Sequence, residues 1–199
     1  MVKPHWGFAE GALFVAGIST LGAEIAAARL IAPAFGASTV VWANTIAIVL
    51  VALAGGYWLG GRLADRHPHT AGMARAALLG AGLIALIPLF AIPLLDVTED
   101  TLGEFSGSLL VQLVLVAPPV LVLGALSPWA VRLRVASVAG AGDVTGRLYA
   151  LSTAGGLVGN FAAALALIPW VGTSWTFLIF AALLAVVSAP MAWSSSRPA

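Results

Sequence analysis

The sequence predicts an all-α membrane protein of six transmembrane helices, and three observations predict it. Of 199 residues, 61% are hydrophobic and only 9% charged, against about 25% charged in a soluble domain. The apolar residues gather into six runs, each near the roughly 20 residues that cross a hydrocarbon core. Lys and Arg fall almost wholly on one side of the resulting six-span arrangement, as expected where positive charge resists translocation. The spans use up most of the chain, so residues 1–199 are expected to form one transmembrane domain with short loops.

The first run, Phe8 to Pro33, is too long for a secretory leader and carries Glu10 and Glu24, which sets it apart from one. The second and third runs cover Thr39 to Gly61 and Gly72 to Leu95. The fourth, Leu109 to Val131, holds Pro118 and Pro119 in its middle, and two missing backbone donors bend or unwind a helix. A Gly- and Ala-rich stretch ending at Asp143, a candidate cap, precedes the fifth run, Thr145 to Trp170. The sixth, Trp175 to Trp193, leaves Ser194 to Ala199 as a short end of the kind that stays disordered.

Lys3, Arg62, Arg66, Arg75, Arg132, Arg134, Arg147 and Arg197 share one side of this arrangement. The other side holds Asp96, Glu99, Asp100 and Glu104, with Arg29 as its nearby base. Both termini are therefore expected in the cytoplasm, and a bacterial inner (plasma) membrane is the expected location. The chain has no cysteine, which excludes disulfides, thiolate-bound zinc and iron–sulfur clusters. A net charge of +1 with scattered bases offers no nucleic-acid footprint. His5, His67 and His69 lie outside the spans; the last two lack a third ligand, so neither a metal nor another cofactor is expected. Lipid, other membrane helices and small solutes are the remaining partners.

Glu24 stands about nine residues, roughly 13 Å, inside its helix end. A carboxyl at that depth faces the protein interior, either as hydrogen-bonded glue between helices or as a solute or proton site. Arg29, five residues on, is either an interfacial anchor whose stem snorkels to the headgroups, a charge partner for a neighbouring helix, or a guard at the outer mouth of a pathway. Asn160 is expected at the depth of Glu24, with Asn44 and Gln112 nearer the outer surface. Together they either line a cavity or hydrogen-bond across helices. Trp42 fits an interfacial belt or a stacking platform for a cation. Gly56 with Gly60, and Gly155 with Gly159, have the GxxxG spacing that lets two membrane helices approach closely.

The stretch Gly61-Arg62-Leu63-Ala64-Asp65-Arg66 resembles the cytoplasmic loop motif of major facilitator superfamily transporters. Longer stretches are similar to the membrane part of the fused facilitator/spermidine synthase family. They are Ala23-Glu24 through Arg29-Leu30-Ile31-Ala32-Pro33-Ala34-Phe35-Gly36, Val41-Trp42, Gly56-Tyr57-Trp58-Leu59-Gly60, Gly146-Arg147-Leu148-Tyr149-Ala150-Leu151-Ser152-Thr153 and Ile168-Pro169-Trp170-Val171-Gly172-Thr173. The resemblance implies a half-size facilitator-like bundle and a polyamine or another organic cation as solute. In that family a soluble aminopropyltransferase domain usually follows the helices; this chain reaches Ala199 without one, and its Gly-rich stretches lack the following strand and ribose-binding acid. No enzyme is expected.

The leading expectation is a half-size transporter working as a parallel homodimer, since facilitators carry two six-helix halves around a central site. Glu24, Arg29, Trp42, Asn44, Gln112 and Asn160 would bind solute or protons, and Arg62, Asp65, Arg66, Asp143 and Arg147 would form a cytoplasmic gating network. The alternative is a scaffold that recruits a separately encoded synthase or envelope protein. An enzyme acting on lipid lacks a His or carboxylate cluster.

Overall fold

A computed structural model describes residues 7–193. Lys3, His5, Arg197 and the Ser194 to Ala199 end lie outside the described residues, whose regular structure is all helical, with no strand. Helix α1, Phe8–Phe35, begins where Glu10 accepts the Gly7 N–H at 3.1 Å and ends at Gly36, whose φ of 77° turns the chain back. Helix α2, Thr39–Arg66, starts on Ser38, whose hydroxyl oxygen accepts the Val40 and Val41 N–H groups. Helix α3 spans Thr70–Glu99.

The fourth span is broken into α4 (Glu104–Leu115), α5 (Ala117–Gly124) and α6 (Leu126–Arg134). The bend between α4 and the rest is 47°, and it falls where Pro118 and Pro119 remove the donors that Val114 and Leu115 carbonyls would use. The fifth span runs through α7 (Ala141–Phe161), a π-helical turn at Ala162–Leu167 and α8 (Ile168–Val171). Helix α9, Thr173–Ala192, completes the bundle. Five of these spans are long and apolar enough to cross a membrane, and the bent pair supplies a sixth.

The helices outrun the hydrophobic runs: α1 and α2 at the C-terminal end, α3, the fourth and the fifth spans at both ends, and α9 at its start. The expected loops at 62–71, 96–108 and 132–144 shrink because charge does not stop a helix and the first breaker after Gly61 is Pro68. The basic motif at Arg62 to Arg66 is thus the last turn of α2 rather than a loop. Asp143 does not cap the fifth span; α7 starts two residues earlier, behind Gly140 at φ 89°, a left-handed conformation that suits glycine.

Packing follows the small residues. Helix α1 lies against α7 and α9, α3 against α9, and α2 against α4, α5 and α6, while α3 also meets α4 and α5. Both GxxxG motifs form contacts within the chain. A Cβ on Gly56 or Gly60 would strike the backbone carbonyls of Leu121 and Ala125, and one on Gly155 or Gly159 would strike those of Phe14 and Ile18. Backbones this close gain dispersion in a setting where lipid offers no hydrophobic drive.

The two crossings share one register. Phe14, Gly17 and Ile18 stand to Ser152, Gly155 and Gly159 as Leu121, Gly124 and Ala125 stand to Leu53, Gly56 and Gly60. Even the reverse contacts match, with Gly17 facing the Ser152 carbonyl and Gly124 facing that of Leu53. The main pairings survive exchange of the first span with the fourth, the second with the fifth and the third with the sixth. Because each exchange pairs an odd with an even span, the two three-helix units run in opposite directions.

Candidate functional site: a cavity at Arg29 and Trp42

The two ends of the bundle differ in charge. One end holds Asp96, Glu99, Asp100 and Glu104; the other holds Arg62, Arg66, Arg132, Arg134 and Arg147. At the acidic end a cavity of about 280 Å³ lies between α1, α2 and the π-helical turn. Its first wall is Ile25, Ala28, Arg29 and Ala32, whose spacing puts them on one face of α1. Val41, Trp42 and Thr45 form the α2 wall, and Ala164 closes the third side. The alanines leave the space, and Gly36 and Ala37 bring the chain around its rim.

Arg29 and Trp42 are exposed. Arg29 makes no hydrogen bond or ion pair with any described residue, so its guanidinium keeps five free donors. The Thr45 hydroxyl is already used, donating to the Val41 carbonyl at 2.9 Å. Glu104 accepts the Ser38 hydroxyl at the start of α2 but does not line the cavity. The site therefore presents one cation and one indole among small apolar side chains. It can hold a small solute by a charge-assisted hydrogen bond and by stacking.

The other expected site residues are placed elsewhere. Asn44 is buried and donates to the Phe105 carbonyl and to Ser108 Oγ, both at 2.9 Å, tying α2 to α4. Its role is the cross-helix one. Gln112 is fully buried on α4, and neither its Nε2 nor its Oε1 has a partner among the described residues. Glu24 is half-buried, adjoins the cavity wall in sequence without lining it, and has no hydrogen-bond or ionic partner among the described residues.

Asn160 is half-buried and likewise unpartnered among the described residues. It is not level with Glu24. Phe14 faces Gly155 and Ile18 faces Gly159, so Asn160 is level with Ser19, and Glu24 lies about 7 Å farther along at 1.5 Å per residue. Glu24 instead shares its depth with the Pro118–Pro119 break, because α1 and the fourth span run antiparallel from the Phe35–Gly107 contact to the Glu10–Arg134 pair.

At the basic end the expected single network resolves into separate contacts. Asp65 accepts from Arg132 Nε at 3.2 Å, joining α2 to α6. Glu10 pairs with Arg134, joining α1 to α6. Asp143 and Arg147 pair only with each other, 3.9 Å apart on α7, and Arg62 stacks on the Trp58 ring of its own helix at 3.9 Å. Arg66 has no described partner. The register of α2 on the fourth span decides this: it brings Asp65 to Arg132, beyond the reach of Arg147 on another helix.

Sequence reasoning missed Glu10, Arg132 and Arg134 as cross-helix partners. Their only signal was charge at span ends, which speaks to orientation and not to pairing. It also missed the π-helical turn, for which Ala162 to Leu167 carry no sequence mark. A second space, about 490 Å³ between α3 and α4–α5, is walled by apolar side chains, among them Leu86, Phe90, Val114 and Pro118, and has no polar side chain to orient a solute.

The fold defines a class, that of polytopic helical integral membrane proteins. Comparison of the chain with family models, with curated proteins and with solved structures finds no match.

Proposed function

We propose that this protein is a half-size, facilitator-like membrane transporter for a small solute, working as a parallel homodimer in a bacterial inner membrane with both termini in the cytoplasm. The observation that carries the reading is the contrast between the two ends: a cavity reaches the surface at the acidic end, while ion pairs tie the helices at the basic end. Positive charge marks the basic end as cytoplasmic, so the cavity faces outward. The inverted relation of the two three-helix units supports the facilitator reading, since facilitator halves are built from such repeats.

On this reading Arg29 and Trp42 meet the solute first, and Glu24, at the depth of the broken fourth span, serves a later step as a proton or solute group. Asp65–Arg132 and Glu10–Arg134 are the contacts that part when the cavity opens inward. The family resemblance implies a polyamine or another organic cation, and the cavity lining bears on that choice. The test is flux into proteoliposomes with a panel of cations, amino acids and organic acids, together with cross-linking in membranes. Saturable uptake that Glu24→Gln slows at least tenfold supports the reading, and absence of flux for every solute overturns it.

A second reading, a scaffold that recruits a separately encoded synthase or envelope protein, is favoured by the packing of Asn44 and Gln112 between helices and away from the cavity. It expects binding of a protein partner at the cytoplasmic end without flux.

A further inference from the structure

We infer that the outer cavity is an anion site headed by Arg29, taking a carboxylate or phosphate group with a small apolar or aromatic body. Reading the site as a solute cavity is shared with the transport proposal above; its sign of charge is new and runs against the organic cation that the family resemblance implies.

The lining carries the inference. Of the residues around the cavity, Arg29 is the sole ionisable one, and the rest are Ala, Gly, Ile, Val, Thr and Trp. Glu24, five residues before Arg29, and Glu104, which accepts the Ser38 hydroxyl, are both outside the lining. Arg29 lacks any described partner, although a guanidinium takes a planar oxyanion by two parallel hydrogen bonds. A cation in this space would meet like charge in a partly desolvated setting.

Position adds a second reason. Val41 and Trp42 of the lining belong to the first turn of a 28-residue helix; its Val40 and Val41 N–H groups are taken by Ser38, so this end contributes only its dipole, whose positive pole favours anions. Trp42 and the alanines cover the body of the ligand. The volume of about 280 Å³ lies just under the 300–1,000 Å³ range of pockets for drug-sized ligands, so the body is small. The chemistry fits a free organic anion or the phosphate of a lipid headgroup reaching in from the rim, and the two sources differ in what displaces them.

The experiment is thermal unfolding of the full chain in neutral detergent with millimolar benzoate, aliphatic carboxylates, glycerol 3-phosphate, inorganic phosphate or spermidine, repeated in nanodiscs of zwitterionic lipid with and without phosphatidylglycerol. A melting shift with at least one anion and none with spermidine is expected. Arg29→Gln should weaken the apparent affinity at least tenfold, and Arg29→Lys should keep part of it.

A shift only with phosphatidylglycerol, lost in Arg29→Gln, keeps the anion site and assigns it to lipid. A shift with spermidine alone, or anion shifts that survive in both Arg29 variants, overturns the proposal. Anion binding without flux in proteoliposomes removes the transport reading and leaves this one standing.

Discussion

The two glycine crossings use the same device and lead to opposite outcomes. Gly56 and Gly60 seat α2 on the fourth span, and Gly155 and Gly159 seat the fifth span on α1, in matching register. Followed toward its C-terminal side, the first crossing reaches the basic end and closes on Asp65 and Arg132. The second, followed the same way, reaches the acidic end and opens into the cavity. By residue count from the glycines, Ala164 stands where Asp65 does and Ile25 where Arg132 does, and both line that cavity. An ion pair stands at one crossing where two apolar side chains stand at the other.

The comparison can be broken at the crossings themselves, where the largest effects are expected. Gly60→Ala and Gly159→Ala each drive a Cβ into a backbone carbonyl of the facing helix and should destabilise by about 1–3 kcal/mol. Gly61→Ala, with nothing within 4 Å of the new Cβ, should be neutral or stabilising by up to about 1 kcal/mol through helix propensity. Thermal unfolding of the three variants in one detergent checks this. If one crossing tolerates its alanine and the other does not, the two are not equivalent.

A change of opposite sign is expected at Gln112. Both of its polar side-chain atoms are buried without partners among the described residues, so Gln112→Met removes an unmet amide and should stabilise by about 1–2 kcal/mol. Destabilisation in the same assay would mean that a solute or water satisfies the amide in the folded protein.

The smallest stability effect belongs to the basic end. Arg132→Gln breaks an ion pair whose partners are half to three-quarters exposed, worth about 0–1 kcal/mol. Its consequence should show as access: the buried Ala64, on the same end of α2, should become reachable once the tie to α6 is lost. Labelling of Ala64→Cys with and without Arg132→Gln reads this directly.

Much of the fold was legible because it rests on local chemistry. Spans follow from apolar length, the bend from Pro118 and Pro119, and the close crossings from glycine spacing. The candidate site was legible only in pieces. Arg29 and Trp42 stood out as polar or amphipathic groups near span ends, and the structure brings them to one cavity. Asn44 and Gln112 stood out by the same rule and lie between packed helices. Depth along a helix can be counted from a sequence, whereas the direction a side chain faces depends on the register between helices. Asp65 shows the same boundary: its charge and end were readable, its partner was not, because Arg132 meets it only after Gly56 and Gly60 have set α2 on the fourth span.

On the transport reading the acidic end of the bundle is open and the basic end closed, and the absence of native cysteine makes that directly measurable. Ala28→Cys, on the cavity wall, and Ala64→Cys, at the closed end, would each be the sole thiol in its chain. With a membrane-impermeant maleimide applied to sealed vesicles of known orientation, Ala28→Cys should label from the outside face and Ala64→Cys from neither face. Labelling of Ala28→Cys from the cytoplasmic face, or equally fast labelling at both positions, would contradict the claim.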